Sequence, residues 1–326
     1  MAEVSVILPC FNAASSIRSS IQSILDQTFE DWELIIVDDA STDQSVNVVT
    51  AILDKRIKLV QLSKNSGYPV AMNEGIAQAK GKYIARMDAD DVSAPERLQE
   101  QLKALELHPH AAFCGVARYR ITPGGKRYAD KKIPGSYYQT ETWENLMQGN
   151  RIFTDPSVMM EKEKALAVGG YRSFQRSGMD VDLWLRMMEK FGSCITITKP
   201  LFGKGLEPGS LIFNPNTYLI NQIPRVLARQ RVEKGSDDVQ NGKGVNIHEY
   251  KRLGLIKEGA TEDKAGLFLG SIVTCLWLSD WKGAGIYYQH IRRTSDLSLV
   301  KIIFEIVKKT LQRFRSNPYS RYNPVA

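Results

Sequence analysis

Cysteine is scarce and widely spread, with Cys10, Cys114, Cys194 and Cys275 the only four in 326 residues. Gaps of about 80 residues or more fit neither a zinc-ligand spacing nor the dense disulfide framework of small secreted domains, so a reducing compartment is expected. Also missing is an apolar run of the roughly 20 residues needed to cross a bilayer. The longest low-polarity stretch, Ala265–Leu278, lies between Lys264 and Asp280 and reads as a buried helix. The acidic opening Ala2-Glu3 leads straight into a strand-like segment, so no signal peptide is expected. There is no proline-rich, glycine-rich or polar low-complexity tract, and 43% hydrophobic with 24% charged residues is an ordinary globular composition. Two nucleotide signatures are absent as well. After the first strand the chain reads Pro9-Cys10-Phe11-Asn12, not Gly-x-Gly-x-x-Gly, and no Gly-x-x-x-x-Gly-Lys-Ser/Thr occurs. Any phosphate bound here must be neutralised by side chains and metal.

The formal charge of +7 would suit nucleic acid or an anionic surface. Its distribution argues against nucleic acid. Residues 291–326 hold eight basic and two acidic side chains, a net of +6, which leaves only +1 for residues 1–290. Within that tail the segment 297–315 places Val300, Ile303, Phe304, Val307, Leu311 and Phe314 on one helical face, opposite Lys301, Lys308 and Arg315. Such a basic amphipathic helix either packs on its own domain or lies on an anionic membrane.

Four apolar runs, Val4–Leu8, Glu33–Val37, Ile57–Leu62 and Tyr83–Met87, alternate with helix-like segments Ala14–Gln27, Gln44–Leu53, Val70–Ala79 and Pro95–Leu107. Nearly unbroken apolar strands separated by helices predict an α/β fold with a mostly parallel sheet covered on both faces. Ser93-Ala94-Pro95-Glu96 reads as the capped start of the fourth helix. A further helix is expected around Trp184–Glu189, and the polar stretch 233–244 reads as a flexible connector before a mostly helical end.

Ligands of open parallel sheets bind beyond the carboxyl ends of the strands. By that rule Asp38-Asp39 and Asp88-Ala89-Asp90-Asp91 converge on one edge, near Pro9 and Asn12. So much negative charge asks for a compensating cation, and Mg²⁺ or Mn²⁺ bridging carboxylates and a diphosphate is the natural partner. Asp43 reads as a cap of the second helix.

These segments resemble the inverting glycosyltransferases of family 2, non-processive bacterial type, with the GT-A fold. The resemblance runs through Val4–Asn12, Ser23–Phe29, Trp32–Asp39, Ser41–Asp43, Asn65–Gly67, Asn73–Gly75, Gly81–Ile84, Asp88–Asp91, Pro156–Met159, Gly169–Arg172 and Asp180–Arg186. It implies a catalytic domain over residues 1–215 and a mostly helical domain over 216–326. It further implies that Asp39, with Pro9 in the same pocket wall, contacts the nucleotide base, that Asp88 lies near the ribose, and that Asp90 holds the metal. Asp180 matches the general base; Asp182 is its rival, and Arg186 is expected to contact the acceptor or pair within its helix. The implied reaction moves one sugar from a nucleotide-diphosphate donor, UDP-linked by expectation, to a glycan or glycolipid hydroxyl in bacterial surface polysaccharide synthesis. Cytoplasmic placement, with peripheral attachment at the inner face of the membrane through 297–315, goes with that reading.

Four positions depart from the family pattern: Met72 where arginine is usual, Met179 where an acid is usual, and Asp155 and Glu207 where histidines are usual. Carboxylates ligate hard cations, so Glu207 is a candidate metal ligand in the histidine's place. The same departures keep open a nucleotide-sugar-binding protein impaired in catalysis. A sugar-nucleotide pyrophosphorylase is the third reading, although its glycine-rich loop after the first strand is missing.

Overall fold

A computed structural model of the chain describes residues 2–129, 135–174, 178–205, 222–256, 271–276 and 278–294, together with 302, 305 and 306. Glu207 and nearly all of 297–315 lie outside the described residues, as does Ala265–Leu278 apart from a helical turn at 271–276 and residue 278.

The first four strands are β1 (Val4–Cys10), β2 (Trp32–Asp38), β3 (Ile57–Gln61) and β4 (Tyr83–Arg86). They lie parallel in the order β3-β2-β1-β4, with Ile7 opposite both Ile35 and Arg86. Order therefore reverses between β1 and β4, the kind of switch point beyond whose carboxyl ends such sheets bind their ligands. The sheet continues through β9 (Met159–Glu161), β6 (Cys114–Ile121) and β10 (Cys194–Gly205) to β5 (Val92–Ser93). The β4–β9 and β9–β6 pairs are antiparallel. At the side, β7 (Arg127–Tyr128) pairs with β6 and β8 (Tyr138–Glu141) with β10.

Successive strand residues point to opposite faces, and the packing follows that alternation. Val4, Val6 and Leu8 of β1 join Ile17, Ile21 and Ile24 of α1 (Ile17–Leu25) and Leu98 and Leu102 of α4 (Arg97–Leu107). Ile7 points the other way, into a cluster with Ala71, Met72 and Ile76 of α3 (Tyr68–Gln78) and Leu183 and Trp184 of α7 (Met179–Phe191). Each large aliphatic side chain among them contributes roughly 1.5–3 kcal/mol of transfer free energy when fully buried. The remaining helices of this part are α2 (Ser45–Thr50), α5 (Trp143–Gln148), α6 (Lys162–Leu166) and α8 (Ile223–Lys234).

The expected fold class is present, with two local corrections. Helix α4 starts at Arg97 without a side-chain cap, because the Ser93 hydroxyl instead accepts a bond of 2.9 Å from Arg97 Nη1. Within the stretch 233–244, α8 ends at Gly235 (φ 76°) and Asp237 is fully buried between Arg172 and Arg231, so this part of the expected connector is held by ion pairs.

By its contacts the chain forms two compact units, residues 1–118, 133–202 and 220–256 in the first and 119–132, 203–219 and 257–326 in the second. This is not the linear cut near 215 expected from sequence, since 220–256 packs with the first unit. The second unit has its own core of Tyr128, Ile272, Cys275, Tyr287, Ile291 and Ile302. In it Asp280 accepts from the Thr122 hydroxyl and from the Gly283 amide (2.9 Å) at the head of α10 (Trp281–Thr294); α9 (Ile247–Arg252) belongs to the first unit. Among the described residues no helix is long and apolar enough to cross a membrane.

Gly75 shows how tightly α3 sits on the sheet. A β-carbon there would stand 2.4 Å from Ile7 Cγ2 and 3.4 Å from Val37 Cγ2. On an exposed helix Gly→Ala stabilises by about 0.5–1 kcal/mol. Here the sign reverses, because both neighbours are buried and branched at Cβ. Gly75→Ala is expected to lower unfolding stability by about 1–3 kcal/mol, as overpacked cores do, in chemical denaturation; a stabilised variant would contradict this packing.

Candidate functional site

The carboxyl edge of the sheet is built from loops that the chain ties to one another. The Asp39 amide donates to Cys10 O at 2.8 Å, holding the β2 loop against the end of β1. Asn12 Oδ1 accepts from the Thr42 amide (2.8 Å) and hydroxyl (3.3 Å), while the Asn12 amide donates to Ser41 Oγ at 2.9 Å. Asn12 and Ala40 take φ of 50° and 60°, a left-handed conformation uncommon outside glycine. Asp43 accepts from the amides of Ser45 (2.9 Å) and Ala14 (3.1 Å), so it joins the two loops besides ordering the head of α2. Pro9 is buried in the same wall.

The strand-end aspartates divide by role. Asp39 is buried, and its two oxygens accept from the amides of Ser66 (2.7 Å) and Gly67 (2.8 Å), which fixes the start of α3. Each oxygen keeps a second lone pair for another donor. Asp38 is buried too, with Oδ2 accepting from the Ser41 amide at 3.2 Å, and is a bracing group of the loop. Asp88, Asp90 and Asp91 bring carboxylate oxygens within 4.8 Å of one another. Asp88 and Asp90 are partly exposed whereas Asp91 is fully buried, near enough to the fully buried Arg97 to favour its charged form. Three hard oxygen donors at this separation repel one another and fit a divalent cation that also takes phosphate oxygens.

Asp180, which Arg86 links to this cluster, lies in the first turn of α7 after the left-handed Gly178. Its carboxylate is 16% exposed and its Oδ1 lies 2.8 Å from Arg86 Nη1. Burial costs the ionised form its hydration, and this outweighs Arg86 and pushes the Asp180 pKa up to about 7, with Asp155 and Asp88 adding to the rise. Arg86 itself is buried at the end of β4. Its other amino group, Nη2, bonds the Tyr68 hydroxyl and lies 3.6 Å from Asp88 Oδ1, and Tyr68 in turn donates to Asp88 at 3.0 Å. Rings of Tyr68, Tyr171 and Trp184 stand 5.2, 5.8 and 5.9 Å from the guanidinium.

The expected acceptor-side pair is placed differently. Asp182 is fully buried and accepts from Arg172 and Arg186, so it has no open face from which to take a substrate proton. Arg186 is 7% exposed and donates to the carbonyls of Val168 and Gly170, holding the Gly169-Gly170 turn. Asn73 braces the next residue, exchanging bonds of 2.8 and 2.9 Å with the Tyr171 carbonyl and amide. Asp155, the histidine replacement, accepts from Trp184 Nε1 (3.1 Å) and pairs with Arg151 (2.8 Å).

Sequence reading missed Arg86, Tyr68 and Tyr171. The available signal was one charged residue closing a strand otherwise made of Tyr83, Ile84 and Ala85, two positions before the acid cluster.

Comparison with known proteins agrees with this architecture. Residues 5–173 match the family described as "Glycosyl transferase family 2". The Bacillus subtilis (strain 168) protein named glycosyltransferase EpsE is 36% identical over 193 residues, covering 58% of this chain and 67% of its own. TuaG of the same organism, named for teichuronic acid biosynthesis, is 32% identical over 189 residues, covering 57% and 72%. Among solved structures, S. aureus TarS 1–349 superposes with a TM-score of 0.57 at 16% identity, over 97% of this chain and 92% of that one. A solved complex of TarS 1–349 with UDP gives 0.55 at 17% identity, over 100% and 94%. With more than half its length matching that family, and with strand-end acids placed where a GT-A sheet binds its ligand, the chain belongs to glycosyl transferase family 2.

Proposed function

We propose that the protein moves a single sugar from a UDP-linked donor, with inversion, to a hydroxyl of a glycan or glycolipid destined for the bacterial surface. The observation that carries this reading is that Asp180 shares the Arg86 guanidinium with Asp88, a member of the Asp88–Asp90–Asp91 cluster at the carboxyl end of β4. The names of TuaG and of the TarS–UDP complex supply the substrate class to be tested. Membership of family 2 sets the pyrophosphorylase reading aside.

In this reading Asp39 accepts from the nucleotide base beside Pro9, Asp88 lies toward the ribose, and Asp90 with Asp91 beside it holds the divalent ion. Bound there, Mg²⁺ or Mn²⁺ supplies charge neutralisation for the departing diphosphate. Asp180 accepts the proton of the acceptor hydroxyl as its oxygen attacks the anomeric carbon and the bond to the diphosphate breaks. A single displacement from the side opposite the leaving group inverts the centre. A pKa near 7 suits this task, because the base is both substantially ionised and still able to hold a proton. Asp182 and Arg186 act instead as the scaffold of α7. Peripheral membrane attachment through 297–315 remains part of the proposal, and flotation of full-length and 1–290 forms with anionic vesicles tests it: equal flotation removes it.

Two measurements test the site. In thermal-shift titrations with UDP-sugars and Mn²⁺, Asp90→Ala is expected to lose the Mn²⁺-dependent part of the stabilisation, and a full shift would refute the metal assignment. For Asp180→Asn, UDP release from the donor is expected to fall by about 10²- to 10⁴-fold with donor binding kept. Since the base must be ionised, wild-type kcat/KM should rise as pH is raised through about 7 and level off above it. A flat profile between pH 6 and 8, or donor binding without UDP release from the wild type, would favour the impaired binding protein.

A further inference from the structure

The base and the donor-side acids come from distant parts of the chain: Asp88 and Asp90 follow β4, and Asp180 arrives on α7. Two carboxylates brought to one buried site repel each other, so something must set their separation. Arg86 is in contact with both. Its two terminal nitrogens face opposite ways, Nη1 to Asp180 at 2.8 Å and Nη2 to Asp88 at 3.6 Å and to the Tyr68 hydroxyl that donates to Asp88.

We infer that Arg86 is a positioning residue, a rigid spacer that holds the Asp180 carboxylate at a fixed distance from the donor-binding acids. The inference rests on the assignment of Asp180 as base. Three features favour a spacer over a generic core ion pair. The guanidinium is planar, and its fork reaches two partners in a way that a lysine ammonium, a point charge, cannot. It is enclosed by the rings of Tyr68, Tyr171 and Trp184, which leave it little room to swing. Its contact with Asp180 is an ion pair off the hydrogen-bond direction: among the described residues neither Arg86 Nη1 nor Asp180 Oδ1 has an aligned hydrogen-bond partner. Asp180 Oδ1, itself buried, is thus held by charge alone.

In-line displacement requires attacking and leaving oxygens on opposite sides of the anomeric carbon, and misplacement of a catalytic group by about 1 Å can cost 10²-fold in rate. A spacer that fixes base against donor acids therefore acts on kcat more than on KM for the donor.

The test is a double-mutant cycle on UDP release, using the UDP-sugar that the wild type turns over fastest. Arg86→Lys is expected to lower kcat by 10-fold or more with KM for the donor changed less than 3-fold, and Tyr68→Phe, which keeps the ring, to lower kcat by a smaller factor. In the Asp180→Asn background both substitutions should cost nothing further, because the group they position is gone. Losses that multiply in that background, or a loss confined to KM, would overturn the inference. Asp180→Asn with wild-type turnover would instead overturn the base assignment. A crystal structure of Arg86→Lys separates the two independently of substrate: the Asp180 carboxylate should turn away from its native position, and an unmoved carboxylate refutes the spacer.

Discussion

Like charges crowd the mouth of this sheet and the helix that lies over it, and several of these acids have an arginine against them. Arg86 serves Asp88 and Asp180, Arg97 lies near Asp91, and Arg172, Arg186 and Arg231 enclose Asp182 and Asp237. Buried ion pairs are weak sources of net stability, because desolvation offsets most of the attraction. Their effect here is on geometry. Removing one member would strand a charge in the interior, so loops and helix heads stay where these pairs put them.

This arrangement separates two kinds of aspartate on one helix. Successive α7 residues turn by about 100°, so Asp180 and Asp182 sit roughly 200° apart. One faces Arg86 and the other faces the body of the protein. Asp182 anchors the helix through arginines from before and within it, and that anchoring carries Asp180 into place. Asp39 works similarly on the opposite wall, where bonds to the Ser66 and Gly67 amides set the head of α3.

The parallel half of the sheet was readable because β1, β2 and β4 are mostly apolar and buried and alternate with helix-like segments. Asp39, Asp88 and Asp90 followed from the rule that such sheets bind ligands at their carboxyl ends, and Asp180 from its flanking resemblance. The phase difference between Asp180 and Asp182 was also present in the sequence, had the helix been drawn from Met179 rather than from Trp184. Arg86 was not legible, since its partners depend on which distant helix lies over β4. The anchoring of Asp237 was hidden for the same reason: it looks like any polar loop residue until Arg172 and Arg231 are seen around it.

The arginine pairs behind the site also divide the protein's electrostatics by ionic strength. Salt screens exposed charges beyond roughly 10 Å at 0.1 M and reaches buried pairs far less. The carboxylates of Asp182 and Asp237 are fully buried and their arginine pairs are screened little, whereas a formal excess of +6 in the last 36 residues is open to screening wherever it is exposed. Any association driven by that excess will therefore dissolve under salt conditions in which the first unit remains folded.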